Sequence, residues 1–562
     1  MRRGKGYRME RRTLDTVRPW VAVLALLSAG MQVAAAAGHD VISAAKDADI
    51  SRLKAALDQE GTDVNATQGD GATALAWAAY RDDEEAVDLL LRAGADPGAA
   101  NDYGVAPLHL ACTNRNAAII VKLIEADADV DGAKWNGETP LMTCVRTGAA
   151  AGVNALLAAG ADPNVKESRE EQTPLMWAAA KGQADIVKAL VARGARPDAR
   201  SKLIPAQEPF VIEVPSSFGR NFPKPVRFRE ASGGFTALLF AAQSGNVEIA
   251  KALLDAGAEI DFATLEEGSA LVIAVAAGHE DFARYLLERG ADPNIADGWG
   301  VTALHYTAHE GLLILNGYAR TNTDHLGWQR SNTPALIKPL LDAGANVEAR
   351  VTASFSFLDN EFLRGNEDPP QIDPTGATPL LLAAASGDTV SMRILVEEGD
   401  ADITARTDGG ATLFMLAAGS GSEMGVRDEL AAIEAAKYAM ELGDTAVNAR
   451  LTNDDAVNGP GAGKIDGRTA LHFAANLGWE HMVRFLAEVG AELDPADRYG
   501  QTPLMIAMGD PESRYYRNIP IGRYDDRYRR PPNAGFDNVV AALLEVGASP
   551  FTGTVIDKGS VN

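Results

Sequence analysis

Asn136-Gly137-Glu138-Thr139-Pro140-Leu141, followed 21 positions after its threonine by Gly160-Ala161-Asp162-Pro163-Asn164, is the stretch that decides how this chain is read. The threonine position returns as Thr73, Ala106, Thr139, Thr173, Thr236, Ser269, Thr302, Thr378, Thr412, Thr469 and Thr502, and most steps are 33 or 34 residues. Thr followed by Pro opens a helix, because the hydroxyl accepts an otherwise free amide and proline's missing N–H costs nothing in the first turn. Ala178 and Ala179 let neighbouring helices approach, and Leu89, Leu90 and Leu91, or Ile186, Val187 and Leu190, supply the apolar face of a second helix. Gly94 or Gly194 then ends that helix in a left-handed turn. One such unit cannot bury its own face and is stable only when stacked.

Ala106-Pro107-Leu108-His109-Leu110-Ala111 and Thr469-Ala470-Leu471-His472-Phe473-Ala474 complete the pattern. A 33-residue period carrying Thr-Pro-Leu-His-x-Ala resembles the ankyrin repeat, and the likeness runs through nearly the whole chain after its first 38 residues. The fold class implied is an all-α repeat solenoid of helix-turn-helix units joined by β-hairpin fingers. About twelve repeats are expected, counting an atypical first one over residues 39–65 that lacks the Thr-Pro cap.

Breaks in the period locate the insertions. Repeats over 38–200 are followed by a finger insertion at 201–232, and repeats over 233–350 carry extra residues between helices near 312–332. A second finger insertion spans 351–373, repeats resume over 374–449, and a third finger insertion spans 450–463. The last repeats, 464–552, hold an inter-helix insertion at 511–535, and 553–562 form a tail. Residues 1–37 run from seven basic side chains through the apolar Trp20–Leu27 to small residues ending at Ala37, the order of a cleaved secretory signal. A retained anchor is the alternative, since Trp20 to Ala37 nearly reaches the length that spans a bilayer. The expected location is therefore exported, periplasmic or secreted.

A length of 562 residues exceeds what one core fills, and 6% aromatic content leaves the packing to Ala, Leu and Val. The net charge of −25 becomes −30 without residues 1–37, which argues against general binding to nucleic acid or to anionic membranes. Two cysteines exclude a disulfide-rich scaffold. Cys112 and Cys144 fall at nearly equivalent positions of adjacent first helices, whose axes should lie about 10 Å apart. They are expected as buried free thiols, with a disulfide in an oxidising compartment as the alternative.

Catalytic signatures are absent in any acceptable context, and neither a cofactor nor a metal is expected. Gly459-Pro460-Gly461-Ala462-Gly463-Lys464 is no phosphate loop, because Asn458 stands where its first glycine belongs and Ile465 follows the lysine. His109, His305 and His472 are structural by family resemblance, tying neighbouring loops, and Trp77 and Trp177 are expected in the core.

The resemblance also implies a concave face that grips partners through the finger tips and the exposed ends of the first helices. The corresponding residues are Tyr103, Trp135, Asn136, Glu138, Arg146, Lys181, Phe235, Trp299, His309, Glu310, Arg498 and Tyr499. Two insertions add aromatic and basic side chains: Phe218, Arg220, Phe222, Arg227 and Phe228 in one, Arg514, Tyr515, Tyr516, Arg517, Tyr524, Arg527 and Tyr528 in the other.

The function expected is a non-enzymatic protein–protein interaction scaffold, monomeric and exported, similar to secreted or periplasmic bacterial ankyrin proteins with long insertions. Binding of a small molecule or polysaccharide by the Arg-aromatic insertions is the alternative. A metal-dependent enzyme near His309, drawing on His305, Glu310 and His325, is the third reading.

Overall fold

The computed structural model describes residues 40–205, 210–215, 221–226, 232–309, 333–352, 375–420, 428–452, 466–498, 500–508 and 534–549. The signal-like segment 1–37, the tail 553–562 and most of the insertions lie outside them, as does the Gly459–Lys464 loop.

Each of the eleven markers is followed by a first helix and, further on, by a second, and residues 40–47 and Ile50–Leu57 supply the pair that precedes them. The start of each first helix follows from its marker. In the pair Pro174–Ala180 and Ala184–Ala192, Thr173 caps the first helix through the Met176 amide and Pro174 takes its first position. Ala106 has no hydroxyl to offer, and its own amide donates to His109 Nδ1 at 3.2 Å, as the Thr302 and Thr469 amides do to His305 and His472. Gly94 and Gly194 close their second helices at φ of +88° and +86°, the left-handed turn that a Cβ would disfavour.

The core runs down the stack as alanine and branched aliphatic side chains, with Leu75, Leu90, Leu108, Ile119, Ile120, Leu123, Leu141 and Met142 fully buried. The array is all-α apart from its fingers, and the described helices form two compact units, 1–202 with 234–258, and 203–233 with 259–562.

Departures from the plain unit fall at the insertions. The finger at 201–232 is a two-tier antiparallel hairpin, Leu203–Ile204 against Ser232–Gly233 and Phe210–Pro215 against Asn221–Val226, with Phe210 opposite Val226. After Thr412 the first helix relaxes to a wider turn over Leu416–Ser420, where Gly419 at φ +106° leaves room for the Trp479 ring. Its second helix, Glu429–Glu441, extends to 13 residues.

Two expectations are corrected. Cys112 and Cys144 form a disulfide, with Cα atoms 4.6 Å apart and both side chains buried. Cys112 lies six residues after its marker and Cys144 five, so they face each other across the contact between the helices Pro107–Asn114 and Pro140–Thr147. The distance between helix axes is therefore not the distance between these two residues. Gly152 of the next helix makes room for the bridge, since a Cβ there would come within 2.8 Å of Cys144 Sγ.

Trp77 and Trp177 are half-buried, not core residues. Each indole N–H is held by a glutamine of its own finger, Gln68 at 3.2 Å and Gln172 at 2.7 Å, which a fully apolar setting would not provide.

Candidate partner-binding face

Finger tips are short turns, and a polar residue five before the marker holds several of them. Asn101 Oδ1 accepts the Tyr103 and Val105 amides, and Asp297 Oδ1 accepts those of Trp299 and Val301. Successive tips then bond backbone to backbone. In the first unit, Asp102 N–H donates to Asp70, Trp135 to Tyr103, Ser168 to Asn136 and Lys202 to Glu170, all between 2.7 and 3.1 Å. In the second unit, Thr352 donates to Trp299, Asp408 to Thr375, Thr452 to Gly409 and Arg498 to Asp466. Glycine permits this approach. A Cβ on Gly104 would lie 2.9 Å from the next tip's backbone, and one on Gly137 would lie 2.9 Å from the Ser168 nitrogen.

Because the backbone joins the tips, side chains there are released. Tyr103 is 61% exposed and Trp135, on the adjoining tip, 78% exposed. Arg146 and Lys181 stand exposed at the ends of the neighbouring first helices. Tyr80 is exposed as well, seven residues after Thr73 as Arg146 is after Thr139, and packs edge-on against Trp77 at 5.7 Å. Sequence reasoning passed over Tyr80, although the same offset identifies it.

Other members of the expected set are differently placed. Glu138 is 7% exposed and points inward, its Oε1 accepting from Thr143 at 2.8 Å and meeting Arg146 Nε at 3.1 Å and Lys134 Nζ at 3.2 Å. Burial works against its ionisation, but Thr143, Lys134 and Arg146 together outweigh it and hold the carboxyl below its usual range. It is a structural group and is not displayed to a partner.

Phe235 is 8% exposed and packs on Phe240 at 5.2 Å, its amide held by Ser201 Oγ, and the position one before the marker is buried or half-buried in every repeat. Asn136 is half-buried and its Oδ1 accepts the Glu138 amide, while Trp299 and His309 are half-buried too. Arg498 is exposed, 3.9 Å from Asp466. Glu310, His325, Tyr499, Phe218, Arg220, Arg227, Phe228 and the set Arg514, Tyr515, Tyr516, Arg517, Tyr524, Arg527 and Tyr528 lie outside the described residues. For Phe222 the described feature is its backbone pairing with Val214.

The three motif histidines tie each marker to the next finger. His109 Nε2 meets the Glu138 carbonyl at 3.2 Å, His305 Nε2 the Ala349 carbonyl at 3.1 Å, and His472 Nε2 the Gln501 carbonyl at 3.1 Å. Nδ1 accepts the Ala106, Thr302 and Thr469 amides, so Nε2 must carry the proton and the ring must be neutral. Burial is the main reason that all three are pulled down from 6.5 to about 4. With His305 committed in this way, the pair needed for a metal at His309 is lost. Among the described residues no group of three or more His, Cys, Asp or Glu side chains is arranged to hold a metal ion. No described helix is long and apolar enough to cross a membrane.

Comparison with known proteins agrees with this architecture. A family model described as ankyrin repeats (3 copies) matches residues 41–133, 75–167, 119–201, 221–297, 238–320 and 432–513, and one described as ankyrin repeat matches 375–408. Among curated proteins, "Serine/threonine-protein kinase 12" of Arabidopsis thaliana is 44% identical over 57 residues, which is 10% of this chain and 11% of that protein. "Putative glutaminase 2" of Caenorhabditis elegans is 32% identical over 79 residues, 14% of this chain and 12% of that protein. The chain thus matches only about a tenth of either relative's length, and the likeness concerns the repeats and not the activities in their names. Matched by the family models over more than half its length, the chain belongs to the ankyrin repeat family.

Proposed function

We propose that this protein is a non-enzymatic scaffold that holds a protein partner on its finger face and works outside the reducing cytosol. The observation that carries the first part is the exposed pair Tyr103 and Trp135 on adjoining tips whose backbones are already bonded to each other. Large aromatic side chains on a rigid support bury much area at little entropic cost, and they are typical anchors of protein interfaces. Export is supported by the buried Cys112–Cys144 bridge, a kind of bond that persists in oxidising compartments, together with the signal-like order of residues 1–37.

A photo-crosslinking amino acid at position 103 of the full chain, activated in the producing cells, tests the scaffold reading. One or a few discrete protein adducts are expected. Absence of any adduct from position 103 or 135, with adducts from the turn at Asp96, would overturn it. Fractionation with thiol labelling tests export: blocked cysteines in the exported fraction are expected, and a cytosolic protein with free thiols would remove that part of the reading.

A further inference from the structure

The finger edge of the first unit changes charge along its length. Asp70 is exposed on the tip before that of Tyr103, and Asp102 is exposed beside Tyr103 on the same tip. Past Trp135 the exposed charges of the fingers and first-helix ends, beside the Lys166–Glu171 pair, include Arg146, Arg169, Lys181 and Lys202. Arg146 meets Glu138, but that one buried carboxylate is shared with Lys134. Arg169, with its side chain 87% exposed, meets Glu170 at 3.4 Å. Lys181 has no ion pair among the described residues. Counting Lys202 on the next tip and the buried Glu167 that accepts the Arg169 amide, five cations (Lys134, Arg146, Arg169, Lys181 and Lys202) thus face three carboxylates (Glu138, Glu167 and Glu170), in a chain whose net charge is −25. The neighbouring Lys166–Glu171 pair leaves this balance unchanged.

The backbone ladder fixes the order of these groups. Trp135 N–H on the Tyr103 carbonyl and Ser168 N–H on the Asn136 carbonyl set the aromatic pair directly beside the finger that bears Arg169. Arg146 and Lys181 extend the same row from the ends of the helices Pro140–Thr147 and Pro174–Ala180, which pack side by side.

We infer that the face formed by Tyr103, Trp135, Arg146, Arg169 and Lys181 takes an acidic protein segment carrying an apolar side chain. The apolar side chain covers Tyr103 and Trp135, and the carboxylates run toward Arg169 and Lys181. The inference rests on the scaffold reading and specifies its partner. A nucleic acid fits less well, because its evenly spaced charges would also have to pass Asp102 and Asp70. A surplus of like charge in an otherwise oppositely charged surface steers encounter and selects partners more than it adds raw affinity, so charge selectivity is the property to measure.

The probe is a fluorescent twelve-residue peptide with a central leucine-tryptophan pair followed by four glutamates, titrated against the full chain. Its controls are the same peptide with four lysines and a twelve-nucleotide single strand. The glutamate peptide is expected to bind at least tenfold tighter than either control and to weaken with added salt. Trp135→Ala should weaken it about tenfold. Arg169→Glu with Lys181→Glu should reverse the preference toward the lysine peptide. All these sites are exposed, and an unchanged melting midpoint checks that the variants fold. Equal binding of the two peptides, tighter binding of the oligonucleotide, or indifference to Trp135→Ala would overturn the inference. If crosslinks from position 103 or 135 still yield a protein partner, the scaffold reading survives that failure; if neither does while the turn at Asp96 does, both fall.

Discussion

Two ladders lace the repeats together, and they use different atoms. Along the finger tips the bonds are backbone to backbone, as between Trp135 and Tyr103 or Thr352 and Trp299. Along the turns after the second helices they run through side chains. Asn164 Nδ2 donates to the Gly194 carbonyl while its Oδ1 accepts the Arg196 amide, and Asn65, Asn294 and Asn448 repeat both bonds to their next turns. The first ladder asks little of its side chains beyond glycine at the close approach, so tips are free to carry Tyr, Trp, Arg or Asp. The second consumes its side chains and leaves them nothing to offer a partner. Within one repeat, structure and recognition are thereby assigned to different turns.

Acid should break the finger side most. His109, His305 and His472 hang from the finger bases as neutral rings, lowered from 6.5 to about 4. Above pH 6.5 neither folded nor unfolded state is protonated at these rings; between the two values the unfolded chain binds protons that the folded one refuses. Stability is therefore lost as pH falls from about 6.5 to 4 and levels off below, by about 3 kcal/mol per ring. Urea titrations across that range should show falling midpoints, and unfolding near pH 5 should take up close to three protons from these rings. A flat midpoint would mean that the rings are not neutral ties.

Opening the bridge comes next. Cys112→Ser with Cys144→Ser should cost about 2–4 kcal/mol, since a loop closed across 32 residues no longer restrains the unfolded chain. Reductant should lower the unfolding midpoint of the wild type and leave that of the variant unchanged.

Cutting a rung of the side-chain ladder is a smaller change. Asn164→Ala removes both bonds and should cost about 1–2 kcal/mol in a denaturant titration, without altering partner capture. Trp135→Ala should do the reverse, moving stability by no more than about 0.5 kcal/mol while reducing capture about tenfold. If the two variants exchanged these phenotypes, the division of labour between the turns would be refuted.

Most of the fold was legible because its signals are local. A capping Thr, the Pro behind it and the Gly that closes the second helix each act within one turn, and the series from Thr73 to Thr502 marks helix pairs throughout. The face was legible only in part, because exposure depends on neighbours. Glu138 stands one residue before its marker, a position buried or half-buried in every repeat, and Lys134, Thr143 and Arg146 hold it inward. Phe235 stands at the same offset and is buried like Glu138 and Val301, its amide held by Ser201 Oγ. Cys112 and Cys144 misled because equal positions in adjacent repeats were compared, whereas facing positions are one step out of register.

The bridge has a further consequence for survival under proteolysis. It closes a loop that contains the finger bearing the exposed Trp135, open to partners and therefore to proteases. A single cut anywhere between Cys112 and Cys144 leaves the two flanks covalently one molecule, with repeats on both sides still stacked. On a denaturing gel the nicked protein should migrate as one chain until reductant divides it in two.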